Sequence, residues 1–160
     1  MWANSDVDDR TLNVIYLTPF EIAVREAQPW SVMACYNRVQ GIYGTQSKSL
    51  LTDKLKQEWG FEGIVISDWG AVVDRVEGIR AGMHLEMPGI ERNMDNEAVL
   101  AAVKNGELDE AEIDRLVRDI LRVVLRAIAV ADEPGRQNLE EHHALARRVA
   151  SEAITLLKNE

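Results

Sequence analysis

The sequence Ile64-Val65-Ile66-Ser67-Asp68-Trp69 places three β-branched residues shortly before a carboxylate and an aromatic ring. This run follows the helix-breaking Gly60-Phe61-Glu62-Gly63 and predicts a short strand that is buried on both faces. Parallel strands of α/β proteins end at the mouth where ligands bind, so we expect Asp68 and Trp69 to lie in a binding site. A carboxylate beside a flat apolar ring suits a sugar. The alternative is that Asp68 caps the next helix beside a core tryptophan.

The charge balance argues against some classes of partner. The 160 residues include 27 acidic and 18 basic side chains, a net charge of −9, without a Lys/Arg cluster. This composition disfavours nucleic acid and anionic membranes as partners.

No apolar run approaches the ~18 residues of a membrane span, and residues 1–6 lack the pattern of a signal peptide. The composition is typical of one globular domain.

Cys35 is the single cysteine of the chain. It can form no intrachain disulfide, and neither a Cys/His metal pattern nor a thiol catalytic set can be assembled around it. We therefore interpret Cys35 as a small buried strand residue, with a reactive thiol as the alternative. We also expect no metal site and no cofactor.

The order of the predicted elements indicates a parallel sheet. Three strands are predicted near residues 31–35, 63–67 and 83–86, and each is followed by a helical pattern. Residues 36–44 are interpreted as a polar, glycine-containing loop. Capping residues, prolines and glycines place the helices at about 8–26 with a kink or restart at Pro19, 47–59, 74–81, 96–104, 109–129 and 139–153. A linker is predicted at 132–138, and residues 154–158 turn β-like.

This inventory leaves a physical problem. Three parallel strands with helices on the outside have two unpaired edges and an uncovered inner face, and such edges are templates for aggregation. Either partner strands come from elsewhere, or the chain is part of a larger domain.

Nearly the whole chain resembles the glycoside hydrolase family 3 β-glucosidases. The segments Ser31-Val32-Met33-Ala34-Cys35-Tyr36-Asn37-Arg38-Val39-Gln40-Gly41 and Ser67-Asp68-Trp69 resemble the family's substrate loop and nucleophile segment. Further matching segments are 8–12, 15–20, 58–63, 81–82, 86–89, 150–152 and 156–159. The resemblance implies an α/β fold in which residues 1–130 form about the last three βα units of a (β/α)8 TIM barrel. Residues 131–160 would then be a linker and helix leading to a second α/β domain.

The resemblance also implies a reaction. Asp68 would be the nucleophile of a retaining β-glucosidase, attacking terminal β-D-glucosyl residues of a small β-glucoside or oligosaccharide and forming a covalent glycosyl-enzyme. Trp69 would line the subsite of the terminal sugar, and Met33 and Tyr36 match positions that contact the sugar and border the nucleophile. A tyrosine hydroxyl that donates to a carboxylate stabilises its charged, nucleophilic form. For Met33, filling the core is the alternative.

The general acid/base is not assignable from a motif and is expected outside this chain, in the second domain. Glu86, at the next strand end, is the nearest carboxylate by position, and we do not assign it the role. The family's sugar-holding Asp, Arg and Lys-His residues of the first barrel strands would lie before Met1. The rest of the barrel and the second domain are therefore expected from a longer parent chain.

Two positions depart from the family. His84 stands where an Asp is usual, and Gln40 replaces a common Asn. His84 is either a general base or metal ligand, or a strand-end histidine that hydrogen-bonds to its neighbours, which is the interpretation we favour. His142 and His143 are predicted at the surface. The alternative functions are a β-xylosidase or N-acetylglucosaminidase of the same family, or a non-catalytic sugar-binding or assembly unit.

Overall fold

The computed structural model describes residues 3–89, 93–131 and 138–159. They fall into two compact units, residues 1–127 and 128–160. Five strands are described: β1 Asn4–Ser5, β2 Ser31–Ala34, β3 Arg38–Val39, β4 Ile42–Tyr43 and β5 Ile64–Ser67. The α-helices are α1 Asp9–Thr11, α2 Thr18–Ala27, α3 Arg75–Ala81, α4 Asn93–Lys104, α5 Glu110–Ala129 and α6 Leu139–Ala153, with π-helices at Leu12–Leu17 and Ser49–Glu58 and a 3-10 turn at Gly44–Gln46.

The parallel pair of β2 and β5 forms the centre of the first unit. Ser31 to Ala34 pair in register with Ile64 to Ser67, so two of the three predicted strands are confirmed to within one residue at each end. The third, predicted at 83–86, is not a strand. It is reduced to one parallel bridge between Ile66 and Leu85.

A side chain explains why the third strand is so short. The backbone N–H of Val65 donates to the imidazole Nδ1 of His84 at 3.0 Å, so a ring nitrogen receives it instead of a carbonyl of a neighbouring strand. Pro88 then follows within three residues of Leu85 and has no N–H to donate. The ladder therefore begins and ends around Leu85.

The helices cover one face of this sheet. Val65 is fully buried and belongs to an apolar cluster that joins the two strands to the helices and their connecting loops. The other buried members are Val24, Ala34, Leu51, Leu55, Trp59, Phe61, Ala81 and Met83. On the opposite face Met33 is 48% exposed, and its partner Ile66 is only partly buried. The prediction of a strand buried on both faces is therefore wrong for this chain, because no described residue covers the second face.

Local signals in the sequence set the helix ends. The Asp8 carboxylate accepts from Thr11 N at 3.0 Å and caps α1. Pro19 lies in the first turn of α2, and the backbone stays helical from the π-helix Leu12–Leu17 into α2. The kink or restart predicted at Pro19 is therefore a change of helix type rather than a break. Asp74 caps α3 by accepting from Glu77 N at 3.0 Å. Gly82 ends α3 with a left-handed φ of +98°.

A small second sheet was not predicted. Residues 36–44, interpreted as a loop, contain the antiparallel hairpin of β3 and β4, and β1 pairs parallel to β3. The turn is Gln40-Gly41, with φ of +52° and +86°. Positive φ at both central residues is characteristic of a two-residue hairpin turn.

The second unit consists of the end of α5, α6 and an extended tail. Asn138 caps α6 by accepting from Glu141 N at 3.2 Å, and His142 and His143 are exposed as predicted. The tail at 154–159 pairs with no strand among the described residues, and most of the linker predicted at 132–138 lies outside them. Within the described parts of the chain, no helix is both long and apolar enough to span a membrane.

Candidate active site

The two paired strands end side by side. Beyond their last residue pair, Asp68 N still donates to Ala34 O at 3.3 Å, which keeps the two chains together for one more residue. Cys35 and Tyr36 therefore follow β2 at the same edge of the sheet where Asp68 and Trp69 follow β5. The four residues predicted for the site, Met33, Tyr36, Asp68 and Trp69, all lie at or beside this edge.

The carboxylate of Asp68 is held by the next peptide. Its Oδ1 accepts from Trp69 N at 2.7 Å, and the residue is half-buried. Asp68 O also accepts from Ala71 N at 3.1 Å and shapes the following turn. The helix after this turn is capped by Asp74, six residues further on, so Asp68 is not the helix cap that the alternative interpretation required.

Tyr36 reaches Asp68 through Trp69. The Tyr36 hydroxyl donates to the Trp69 carbonyl at 2.7 Å, and so fixes the peptide unit that follows Trp69. Loss of solvent raises the pKa of Tyr36 above its usual value, and the negative charge of Asp68 raises it further. The raised pKa keeps Tyr36 protonated, so that it acts as a donor at this edge.

Two apolar side chains face solvent beside the carboxylate. Trp69 is 56% exposed, and Met33, on the uncovered face of the sheet, is 48% exposed. Neither belongs to the buried apolar cluster, so Met33 does not fill the core within this chain. Exposed indole and thioether groups next to a carboxylate form a surface on which the apolar face of a sugar ring can lie.

Sequence reasoning missed the groups that brace this edge. Ser67, which is completely buried, accepts from Met87 N at 2.7 Å through its hydroxyl, and Gly70 N donates to Met87 O at 2.9 Å. Arg75 pairs with Glu86 at 3.1 Å. These contacts tie the end of β5, the loop after it and the start of α3 to residues 86–87. The sequence gives no sign of the role of the Ser67 hydroxyl, because serine is common where a strand passes into a loop.

His84 hydrogen-bonds to its neighbours, as the favoured interpretation predicted, and its side chain lies inside the protein. Its side chain has no solvent exposure, Nδ1 accepts from Val65 N, and Nε2 lies 3.2 Å from the Oδ2 of Asp119. Burial lowers the pKa of His84 to about 4, and the nearby charge of Lys56 lowers it too, while Asp119 opposes the shift. Among the described residues no group of three or more His, Cys, Asp or Glu side chains is placed to hold a metal ion.

The prediction made for Cys35 is wrong. It was predicted to be a buried strand residue, but β2 ends at Ala34 and Cys35 is exposed. Its thiol donates to Asn37 O at 3.7 Å, and partial desolvation raises its pKa. The strand ends early because the chain turns here into the β3–β4 hairpin.

An apolar cavity lies along the free edge of β2 rather than at Asp68. Its volume is about 560 Å³, and its lining includes Tyr16, Phe20, Val32 and Met33, but not Tyr36, Asp68 or Trp69. A cavity of this composition at an unpaired strand edge provides a surface for packing rather than polar groups for chemistry. The candidate site is therefore the strand edge at Asp68.

Comparison with known protein families gives one match that covers most of the chain. The Glycosyl hydrolase family 3 N terminal domain matches residues 1–123. The matched range contains all four candidate site residues and every strand.

Individual relatives agree with this match. The chain is 44% identical over 160 residues to Thermostable beta-glucosidase B of Acetivibrio thermocellus, covering 100% of this chain and 21% of that protein. It is 39% identical over 155 residues to Exo-alpha-(1->6)-L-arabinopyranosidase of Bifidobacterium breve, covering 96% of this chain and 20% of that protein. The structure of beta-glucosidase 3B from Thermotoga neapolitana in complex with glycerol superposes with a TM-score of 0.85 at 40% identity, over 99% of this chain and 23% of that one. The chain thus spans about a fifth of these relatives.

Proposed function

The chain belongs to glycosyl hydrolase family 3, and from that premise we propose that it is the nucleophile-bearing part of a retaining β-glucosidase. The observation that carries this proposal is the half-buried carboxylate of Asp68 at the end of a parallel strand, beside the exposed ring of Trp69. The curated relatives are named as glycosidases, which supports the same class of reaction.

The architecture proposed for the parent protein rests on the family membership, and the free sheet edges support it. Residues 1–130 would be about the last three βα units of a (β/α)8 barrel, with β2, β5 and the Leu85 bridge as three neighbouring barrel strands. Residues 131–160 would be the linker and helix that lead to a second α/β domain. The exposed inner face at Met33 and Ile66 supports this, because in a closed barrel the side chains of the other strands fill that space.

In the proposed reaction Asp68 attacks the anomeric carbon while the bond to the leaving oxygen breaks. The leaving oxygen takes its proton from a carboxylic acid about 5–5.5 Å from the nucleophile, and water later releases the sugar from Asp68. We place this acid/base outside residues 1–160. Glu86 remains an unsuitable candidate, because Arg75 holds it in an ion pair at 3.1 Å.

The neighbouring residues would position nucleophile and sugar. Trp69 offers its indole face to the terminal sugar, and Met33 borders the same space from β2. Tyr36 donates to the Trp69 carbonyl at 2.7 Å and fixes the peptide after Trp69, while the Trp69 N–H, in the peptide before it, holds Oδ1 of Asp68 at 2.7 Å. One direct hydrogen bond and a fixed backbone on the far side of Trp69 therefore orient the nucleophile, which is the preorganisation that a displacement reaction needs.

A terminal β-D-glucosyl residue of a small glucoside or oligosaccharide is the proposed substrate. An arabinopyranoside is the second candidate, because one relative at 39% identity is named for that activity. Xylosides, N-acetylglucosaminides and a non-catalytic sugar-binding role remain alternatives. Initial rates on matched aryl glycosides of these sugars would rank the substrates.

The mechanism is tested by trapping the intermediate in the full-length protein. A 2-deoxy-2-fluoro β-glucoside with a good leaving group reacts with a retaining nucleophile and is released slowly. We expect mass spectrometry to find the added sugar on the peptide that contains Asp68. The Asp68→Asn variant should take up no label and lose about 10³-fold or more in turnover while keeping its fold.

Glu62→Gln is the matched control. It removes a carboxylate that lies six residues earlier, is exposed, and pairs with Arg126 at 3.1 Å. This variant should be labelled and turn over at the normal rate. Labelling of a carboxylate other than Asp68, or full turnover in Asp68→Asn, would contradict the assignment.

A further inference from the structure

His84 joins the strand that carries Asp68 to α5. Nδ1 accepts from Val65 N at 3.0 Å, and Nε2 lies 3.2 Å from the Asp119 carboxylate. A ring nitrogen that accepts carries no proton, so the proton of the neutral ring is on Nε2, which donates to Asp119. One neutral imidazole therefore acts as acceptor toward β5 and as donor toward α5.

On the strand side, His84 replaces a missing ladder partner. Leu85 N donates to Val65 O at 3.2 Å and Ser67 N donates to Leu85 O at 2.9 Å, so this bridge uses the carbonyl of Val65 but not its N–H. Val65 is completely buried, and its N–H has the His84 ring as partner. An unpaired N–H at a buried position is costly. The ring thus holds β5 only three residues before Asp68.

On the helix side, several charges meet around the ring. Asp119 on α5 also binds Lys56 of the π-helix Ser49–Glu58 at 2.8 Å through Oδ2, and Arg122 at 2.8 Å through Oδ1. The charged groups that act on His84 are Lys56, Arg115 and Asp119. The ring is therefore placed where two cations oppose its protonation and one carboxylate favours it.

We propose that His84 is a positioning residue that holds the Asp68 strand to α5 through its neutral ring, and that protonation of the ring releases this hold. An imidazolium carries N–H groups on both nitrogens. Its Nδ1–H would face the N–H of Val65, donor against donor, so this hydrogen bond breaks when the ring takes up a proton. The hold acts on the strand whatever reaction Asp68 performs. Only its effect on turnover rests on the proposed function.

The pH range follows from the pKa of His84 in the folded protein and in the free state. The pKa of His84 is about 4 in the folded protein and about 6.5 when the ring is free in solution. Since the folded value is the lower one, the stabilisation is complete above about pH 6.5 and is lost progressively as the pH falls toward 4. Release is therefore an acid response.

Hydrogen exchange of the Val65 amide in the full-length protein tests the proposal. After correction for the intrinsic exchange rate, we expect its protection to fall about twentyfold between pH 7 and pH 5 in the wild type. His84→Asn offers an amide oxygen near the position of Nδ1 and does not titrate, so its protection should stay constant over this range. His142→Asn changes an exposed histidine in the same way and should behave as the wild type. Equal pH dependence in the wild type and His84→Asn would overturn the proposal.

A second pair of variants keeps the test decisive if His84→Asn does not fold. Lys56→Gln removes a charge that opposes protonation and should move the midpoint of release to higher pH, whereas Asp119→Asn removes one that favours it and should move the midpoint lower. Midpoints that stay unchanged, or that move in the same direction, would overturn the proposal. The loss of kcat should lie at lower pH than the loss of protection, near the folded pKa of about 4, and should move in the same direction in each variant. Since exchange needs no substrate, a protein without glycosidase activity would still give a readable result.

Discussion

The Asp68 carboxylate is oriented by one direct hydrogen bond and by a second that fixes the backbone beyond Trp69. Tyr36 fixes the Trp69 carbonyl, and Trp69 N holds Oδ1 of Asp68, each at 2.7 Å. A displacement reaction tolerates little error in the position of the attacking oxygen. The donor on Tyr36 is therefore expected to influence catalysis without touching the leaving group.

Tyr36→Phe should lower kcat of the full-length protein by about ten- to a hundredfold, because a small displacement of a reacting group has an effect of that order. Stability should change by only about 1 kcal/mol, the net value of one hydrogen bond. Steady-state kinetics and urea unfolding measure the two effects. Tyr16→Phe removes a hydroxyl from a residue that is 59% exposed and serves as control. Equal rates in both variants would contradict the role given to Tyr36.

Ser67 contributes to stability at the same edge. Its buried hydroxyl accepts from Met87 N at 2.7 Å, so Ser67→Ala leaves a donor without its partner. We expect a loss of about 1–3 kcal/mol in the free energy of unfolding. Ser151→Ala, on an exposed helix where the hydroxyl donates to Arg147 O, should cost less than about 0.5 kcal/mol. The prediction fails if urea unfolding gives the two variants equal losses.

At the scale of elements, the two glycines that end α3 and α4 give a matched comparison. Gly82 and Gly106 have φ of +98° and +73°, and both conformations disfavour a side chain. A Cβ at Gly82 would lie 2.7 Å from the Thr52 hydroxyl, whereas at Gly106 no atom lies within 4 Å. The Thr52 hydroxyl is held by its bond to Ala81 O at 2.8 Å and cannot easily move away.

Gly106→Ala should therefore cost about 1 kcal/mol, for the backbone conformation alone. Gly82→Ala should cost about 2–4 kcal/mol, because the clash adds to the backbone term. Thermal unfolding of the two variants under identical conditions measures the difference. A smaller loss at Gly82 than at Gly106 would mean that the segment around Thr52 yields more readily than its contacts suggest.

Some secondary-structure elements could be predicted from the sequence and others could not. Caps such as Asp74 and terminators such as Gly82 act through their own backbone, so they are readable without tertiary structure. The β3–β4 hairpin was missed because Gln40-Gly41 gives a weaker turn signal than Asn-Gly. Its Gln40 is held in the turn by bonds from Nε2 to Val7 O at 3.0 Å and Asp9 Oδ1 at 2.7 Å, which depend on distant parts of the chain.

The candidate site likewise contains residues that the local sequence predicts and residues that it does not. Asp68 and Trp69 were placed by local pattern, since a β-branched run that ends on a carboxylate identifies a strand end. Tyr36 and Met33 came from the family resemblance, and their proximity to Asp68 in this structure depends on the parallel register of β2 and β5. The partners of His84 were beyond prediction, because Asp119 lies 35 residues away on another element.

The unpaired sheet edge and uncovered face dominate the behaviour of the molecule as a whole. An apolar cavity of about 560 Å³ lies along the free edge of β2, and α5 exposes Leu121 and Leu125 by 54% and 64%. Apolar surface and open strand edges of this kind promote association. Purified residues 1–160 should therefore bind a hydrophobic dye and sediment as concentration-dependent assemblies, whereas the full-length parent should do neither.

An activity assay of the isolated chain is the strongest test of whether the general acid/base lies outside residues 1–160. Without a general acid/base a glycosidase loses about 10²–10⁴-fold in rate, and missing contacts to the sugar hydroxyls remove further transition-state stabilisation. Residues 1–160 should therefore hydrolyse an aryl β-glucoside no faster than the same chain with Asp68→Asn. The full-length parent should be active, and Asp68→Asn should abolish its turnover. Paired assays of the four proteins, with circular dichroism to verify folding, make the comparison. Hydrolysis by residues 1–160 that depends on Asp68 would place an acid/base within them, and Glu86 would then be the first carboxylate to mutate.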